Sequence, residues 1–319
     1  MSIPFDNVLY IIGNGFDRHH KVKSSYGDFS LWLKKNNRNL YETLSNVCQV
    51  DYLWKDFEKA LADVNRDYFL RMGEIMLPKG WTADDTYAEL YYAQDYVRGE
   101  AENLWSDIVK WFRKWVQTIK WERESDQRML QIDDYARFVT FNYTPFLETH
   151  YGIPRENILY IHGKASDLKH APIIGHDGRD TFDEWYSQAG KHSKKYYKGI
   201  QSHLPEVDMM TTSVEEYFSL SEKPVQDILK QHQDFISDLY DVKHIYVLGH
   251  SLGNVDIPYF KAFNKDNDCP GQIHWHVSYY SDEEKKILED IMRRRIISDG
   301  ATLDMMTLAS IQAVKLVKQ

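Results

Sequence analysis

Four tripeptide-sized endings carry the residues that could do chemistry. The apolar run VLYII leads into Gly13-Asn14-Gly15, RFVTF into Asn142-Tyr143-Thr144, ILYI into His162-Gly163, and IYVL into Gly249-His250-Ser251. Glycines at a strand-to-helix turn let backbone N–H groups approach a phosphate, although the same residues also make a plain tight turn. The pattern lacks the third glycine of a dinucleotide fingerprint and has no phosphate-binding lysine beside it. An asparagine at a strand end cannot act as a base near neutrality. Asn142 can orient a water or hold a sugar hydroxyl, or cap the following helix as an Asx turn. Imidazole titrates near neutrality, so His162 suits proton transfer, with a purely structural role as the alternative.

These residues need a scaffold that brings four distant segments together. Continuous apolar runs rich in Val, Ile, Tyr and Phe read as strands buried on both faces, and a fifth run, IHWHV, ends at Ser278-Tyr279-Tyr280. Open parallel sheets bind ligands outside the carboxyl ends of their strands, so all the candidates fall on one rim. The fold expected is α/β, a Rossmann-like, largely parallel sheet with helical insertions. Helical spacing of apolar residues predicts helices over Phe29–Leu44, Leu53–Met72 and Glu100–Trp121, the last with a Trp-rich stripe that reads as core. Pro78-Lys79-Gly80 marks a loop between them. Shorter helices are expected at Phe146–Tyr151, broken by Gly152 and Pro154, near Pro224–Tyr240, after Asp256, and at Asp282–Arg294. A Lys/Tyr cluster occupies Lys191 to Lys198. The plan is one domain over 1–319, interrupted by insertions at about 30–132 and 178–240.

Bulk properties narrow the function. The 319 residues are 43% hydrophobic and 27% charged, ordinary for a globular protein and too apolar for a disordered one. The net charge of −9 argues against a broad nucleic-acid surface. Cys48 and Cys269 are the only two cysteines, too few for a disulfide framework or a four-thiolate zinc site, which points to a reducing compartment. No stretch approaches the ~20 apolar residues of a membrane span, and no signal-peptide pattern opens the chain, so a cytoplasmic protein without membrane contact is expected.

Gly249-His250-Ser251-Leu252-Gly253 also matches the G-x-S-x-G elbow of serine hydrolases. Against that reading, the only histidines after Ser251 are His274 and His276, inside a strand, and Pro258 falls where the elbow helix should continue. A metal site from His162, His170 and His176 matches no helical or hairpin ligand spacing, and no metal is expected.

In order, the pieces resemble sirtuins and the wider sirtuin-like NAD-consuming enzymes. The glycine turn at Gly13–Gly15 is followed by Tyr26-Gly27-Asp28-Phe29, similar to that family's Gly-x-Pro-Asp-Phe loop. Thr140-Phe141-Asn142-Tyr143-Thr144 resembles Thr-Gln-Asn-Ile-Asp, with Thr144 in place of the acid. His162-Gly163 resembles the catalytic His-Gly. Gly249-His250-Ser251-Leu252 near Val255-Asp256-Ile257-Pro258 resembles Gly-Thr-Ser-Leu near Val-x-Pro. The four zinc-binding cysteines of the deacylating members are missing between His162 and Gly249.

A closer resemblance is to the bacterial abortive-infection AbiH family, marked by Gly13–Asp17 (GNGFD), Phe141–Thr144 (FNYT), Ile161–Gly163 (IHG), and Gly249–Leu252 with Val255-Asp256 and Tyr259-Phe260. The two resemblances imply a phage-defence protein that takes NAD as substrate or ligand. Asn142 and His162 would be catalytic in releasing nicotinamide. Gly13, Asn14, Gly15, Asp17, Gly249, Ser251 and Asp256 would hold the nucleotide. A sensor that binds NAD or ADP-ribose without turnover is the alternative. A phage-derived trigger or protein partner, and a homo-oligomer, fit either reading.

Overall fold

Six strands form one sheet in the order β3-β2-β1-β4-β5-β6. They are β1 (Val8–Ile12), β2 (Arg137–Thr140), β3 (Ile158–Tyr160), β4 (His244–Leu248), β5 (His274–Tyr279) and β6 (Thr302–Thr307). Every pairing is parallel. The computed structural model describes residues 7–48, 50–77, 87–121, 129–167, 169–178, 212–265 and 267–311. Leu9, Ile11, Phe138, Val139, Val247, Trp275 and Val277 are wholly buried, as continuous apolar strands in a parallel sheet must be. The strand order is that of a Rossmann-like fold, as the apolar runs predict.

The register sets the rim. Ile12 lies opposite both Thr140 and Leu248, and Thr140 opposite Tyr160. The ladder continues one step past the strands, with Phe141 N–H on the Ile12 carbonyl at 2.9 Å and Ile161 N–H on that of Thr140 at 3.1 Å. Gly13, Asn142, His162 and Gly249 therefore all leave the sheet at the same edge.

The chain separates into two compact units. One comprises Met1–Ser25, Val116–Pro172 and Pro224–Gln319 and carries all six strands. The other comprises Tyr26–Trp115 and Ile173–Lys223, so the two inserted stretches fold with each other. Its core is aromatic: the Phe29 ring lies 5.1–6.0 Å from those of Trp54, Phe57, Phe112 and Trp115. Tyr217, from the second stretch, donates its hydroxyl to the Leu61 carbonyl at 3.1 Å. The buried Lys223 ammonium meets Glu58 at 2.8 Å.

Several helices differ from expectation. Phe29–Leu44 is two helices, Tyr26–Asn36 and Arg38–Val47, because the Asn37 side chain accepts the Leu40 N–H and starts a new one. Leu53–Met72 is likewise Phe57–Ala62, capped by Asp56, followed by Arg66–Met76. The Trp-rich helix runs over Tyr87–Thr118, well upstream of Glu100. Leu90, Ala93, Val97 and Ala101 extend its buried stripe at helical spacing, past a Gly99 that reads locally as a break. Pro224–Tyr240 is divided at His232 into Val225–Gln231 and Gln233–Ser237. The sixth strand was not expected, because the half-exposed β6 has no continuous apolar run. Helix Phe146–Tyr151 has the expected bounds, closed by Gly152 in the left-handed conformation (φ 69°). Pro78-Lys79-Gly80 and the Lys191 to Lys198 cluster lie outside the described residues. Among the described residues, no helix is long and apolar enough to cross a membrane.

Candidate functional site

The rim lies at the point where strand order reverses, between β1 and β4, which is where open α/β sheets hold ligands. Here the two loops touch backbone to backbone. Gly13 N–H donates to the Leu248 carbonyl at 2.9 Å, and Gly15 N–H to that of Gly249 at 2.7 Å. A Cβ on Gly249 would come within 2.2 Å of the Phe16 nitrogen, and its φ of +66° already disfavours any side chain. A Cβ on Gly13 would meet the His250 Cα at 2.5 Å. The glycines are thus demanded by loop-to-loop packing, and the Gly15 N–H, expected to face a phosphate, is engaged by Gly249. The half-buried Asn14 accepts the Ser24 hydroxyl through its side-chain oxygen.

Next to this junction sits a buried carboxylate. Asp17 is 1% exposed. One of its oxygens accepts the Asn142 amide at 2.8 Å and the other the Thr144 hydroxyl at 2.6 Å. Burial pushes the Asp17 carboxyl up to about 7, against the opposing pull of the Thr144 and Asn142 hydrogen bonds. The second amide hydrogen of Asn142 goes to the Gly13 carbonyl at 3.1 Å, so the Asn142 oxygen, an acceptor, is what that side chain can offer a ligand. His20 anchors the short helix Asn14–His19. Its Nδ1–H meets the Phe16 carbonyl, so its Nε2 accepts the Tyr151 hydroxyl, each at 2.8 Å.

A second polar group gathers around Asp256, in the single turn Asn254–Asp256 that precedes helix Ile257–Lys265. His162 Nε2 faces Asp256 Oδ1 at 3.7 Å, and His250 Nε2 faces Oδ2 at 3.5 Å. All three residues are buried. Phe141 stands edge-on to both imidazoles, its ring centroid 5.1 Å from that of His162 and 4.3 Å from that of His250. The strand-end asparagine and the two histidines thus belong to one sheet edge, with a carboxylate between the histidines.

Ser251 is exposed. The residues held at positive φ in its turn are Gly249 and Leu252 (φ 54°), not the serine, and a single 3-10 turn follows, where a hydrolase elbow needs a strained serine and an immediate helix. His274 and His276 lie in β5; His274 pairs with Thr302 at 2.7 Å, and His276 faces His244 and Asp304. His170 is exposed and bound to Asp167, while His176 contacts Ser221 and the Gly178 N–H. Among the described residues, no group of three His, Cys, Asp or Glu is arranged to hold a metal ion.

Sequence reasoning passed over His250, Thr144 and Ser278. His250 carries the same signal as His162, an imidazole beside a glycine at a strand end, but it is masked by the G-x-S-x-G pattern in which it sits. Thr144 counted only as a missing acid, yet it donates to one. Ser278 accepts the Gly249 N–H at 2.7 Å and so braces the β4 turn from β5, a contact with no local signal.

No curated protein and no solved structure matches the chain significantly. The family described as bacteriophage abortive infection AbiH matches residues 9–279, an interval that begins in β1, ends with β5 and takes in every residue of the rim. Covered over most of its length, from Leu9 through Tyr279, the chain belongs to the AbiH family.

Proposed function

We propose that this protein acts in abortive infection by binding NAD at the rim of its sheet and hydrolysing the bond between nicotinamide and ribose. The observation that carries the reading is the meeting of His162 with the buried Asp256 carboxylate at the same carboxyl edge of the sheet from which Asn142 leaves the neighbouring strand. Family membership supports the role in phage defence, and the resemblance of the four motifs to sirtuin-like enzymes supports NAD as the substrate.

The chemistry asks little acid catalysis of the protein. Nicotinamide leaves with the electron pair of the broken C–N bond and departs neutral, so no proton has to be delivered to it. The ribosyl group develops oxocarbenium character, as in glycoside hydrolysis. A buried carboxylate such as Asp256 stabilises that charge. Water then adds to C1′ and loses a proton, which His162 accepts, and Asp256 offsets the imidazolium that forms. The Asn142 oxygen holds the water or a ribose hydroxyl. Asn14 and Ser251, which reach solvent, serve the phosphates and the second ribose, with Asp17 and the Gly13–Gly15 and Gly249 backbones shaping the wall.

Incubating purified protein with NAD and measuring free nicotinamide tests the proposal. A second reading, a sensor that binds without turnover, draws on the internal engagement of the Gly15 N–H and both Asn142 amide hydrogens. Calorimetric binding of NAD or ADP-ribose with no nicotinamide release, in the presence of phage lysate as well as without it, would favour the sensor.

A further inference from the structure

We infer that His250 is a positioning residue, locked in one tautomer so that its Nε2–H holds Asp256 for His162. The backbone N–H of Leu252 donates to His250 Nδ1 at 2.9 Å. An imidazole nitrogen that accepts a hydrogen bond carries no proton, so in the neutral ring the proton sits on Nε2. That nitrogen faces Asp256 Oδ2 at 3.5 Å. Leu252 makes this bond from a left-handed conformation that leucine rarely adopts (φ 54°). The turn after β4 thus holds an unfavourable backbone geometry in which its N–H meets the histidine.

Aromatic packing fixes the ring plane. Phe141 lies edge-on at 4.3 Å and Phe260 at 5.1 Å between centroids, and the His250 side chain is 4% exposed. Among the described residues, the titratable group that faces it is Asp256, with His162 across that carboxylate. A second proton on His250 would have to displace the Leu252 bond. The labour is therefore divided: His250 turns its Nε2–H toward one carboxylate oxygen, while His162, on the other oxygen, exchanges the proton. This assignment of roles in a reaction rests on the proposed NAD chemistry; the tautomer and its effect on His162 do not.

Two substitutions separate the two halves of the His250 ring. His250→Gln retains an N–H donor near the Nε2 position and can still reach Asp256. His250→Asn retains an acceptor near Nδ1 for Leu252 but cannot reach Asp256. If His250 positions Asp256, His250→Asn lowers kcat for nicotinamide release about tenfold or more with little change in KM, and His250→Gln restores most of it. Nitrogen-15 NMR of histidine-labelled protein gives a readout that needs no turnover. Wild-type His250 should show a bare Nδ1 and a protonated Nε2, and the His162 titration midpoint should move in His250→Asn but not in His250→Gln. Circular dichroism confirms that each variant is folded. A protonated Nδ1 on His250 in the wild-type protein, or a His162 midpoint unmoved in folded His250→Asn, overturns the inference. Absence of nicotinamide release by wild type would defeat the NAD reading while leaving the NMR result to decide this one.

Discussion

Asn142 donates an amide hydrogen to the Asp17 carboxylate at 2.8 Å, and this contact joins the first strand-end motif to the second inside the protein. Burial raises the Asp17 carboxyl from 3.8 to about 7 in the folded state. A group that binds its proton more tightly when folded favours folding as pH falls between those two values. Stability should therefore rise as pH drops from about 7 toward 4, and the full cost of burying the charge is felt above 7. Asp17→Asn keeps a hydrogen-bonding partner for Asn142 and Thr144 without the charge. Its melting temperature should change less than that of wild type between pH 5.5 and pH 8, measured by differential scanning fluorimetry. An identical pH slope in the two proteins would contradict the assignment.

Asn142 and His162 are expected to act on one ribose. Asn142→Ala or His162→Ala should each remove most NAD cleavage, and the double substitution should add little, because groups that act as a unit are not additive. Nucleotide binding, followed by calorimetry, should fall far less. Full cleavage, or full phage protection in cells, by a folded His162→Ala protein would shift the weight to a sensor.

Ser251 is exposed, so its substitution should leave folding intact. Ser251→Ala should weaken nucleotide binding by about 1–3 kcal/mol, the range for a hydrogen bond to a charged group. A fluorophosphonate should not label the serine; stable labelling would revive the hydrolase reading.

Two glycines should respond in opposite directions to alanine. Gly249→Ala places a methyl group against the Phe16 backbone at a left-handed residue and should cost roughly 1–3 kcal/mol or more from strain alone. Gly99, inside helix Tyr87–Thr118, has nothing within 4 Å of an added Cβ. Gly99→Ala should raise stability by about 0.5–1 kcal/mol. Chemical denaturation of both variants would show whether the β1–β4 junction is as intolerant as its geometry implies.

The sheet and its rim were legible because buried parallel strands announce themselves as uninterrupted apolar runs, and each run here ends in a polar residue with a chemical use. β6 escaped because Thr302 and Asp304 interrupt it with exposed polar side chains. Asn142 and His162 could be placed at one edge from sequence, but their hydrogen-bond partners could not. Asp17 reads locally as a first-turn helix acid, and only the fold turns it inward to meet Asn142 and Thr144. The glycines read as phosphate-facing because the alternative, contact with another glycine loop far along the chain, has no signature in either segment.

The position of β1 between β2 and β4 has a consequence for the life of the molecule. β1 is made before both strands that flank it in the finished sheet, one from residues 137–140 and the other from residues 244–248. At about 5–20 residues per second, the second neighbour arrives roughly 10–50 s after β1 itself. Throughout that interval Gly15 has no Gly249 to meet and His162 has no Asp256. A nascent chain or a fragment that stops short of β4 therefore carries the first three motifs without the β1–β4 junction or the His162–Asp256 pair, so the site exists only once the strand farthest along the chain from its partner has been made.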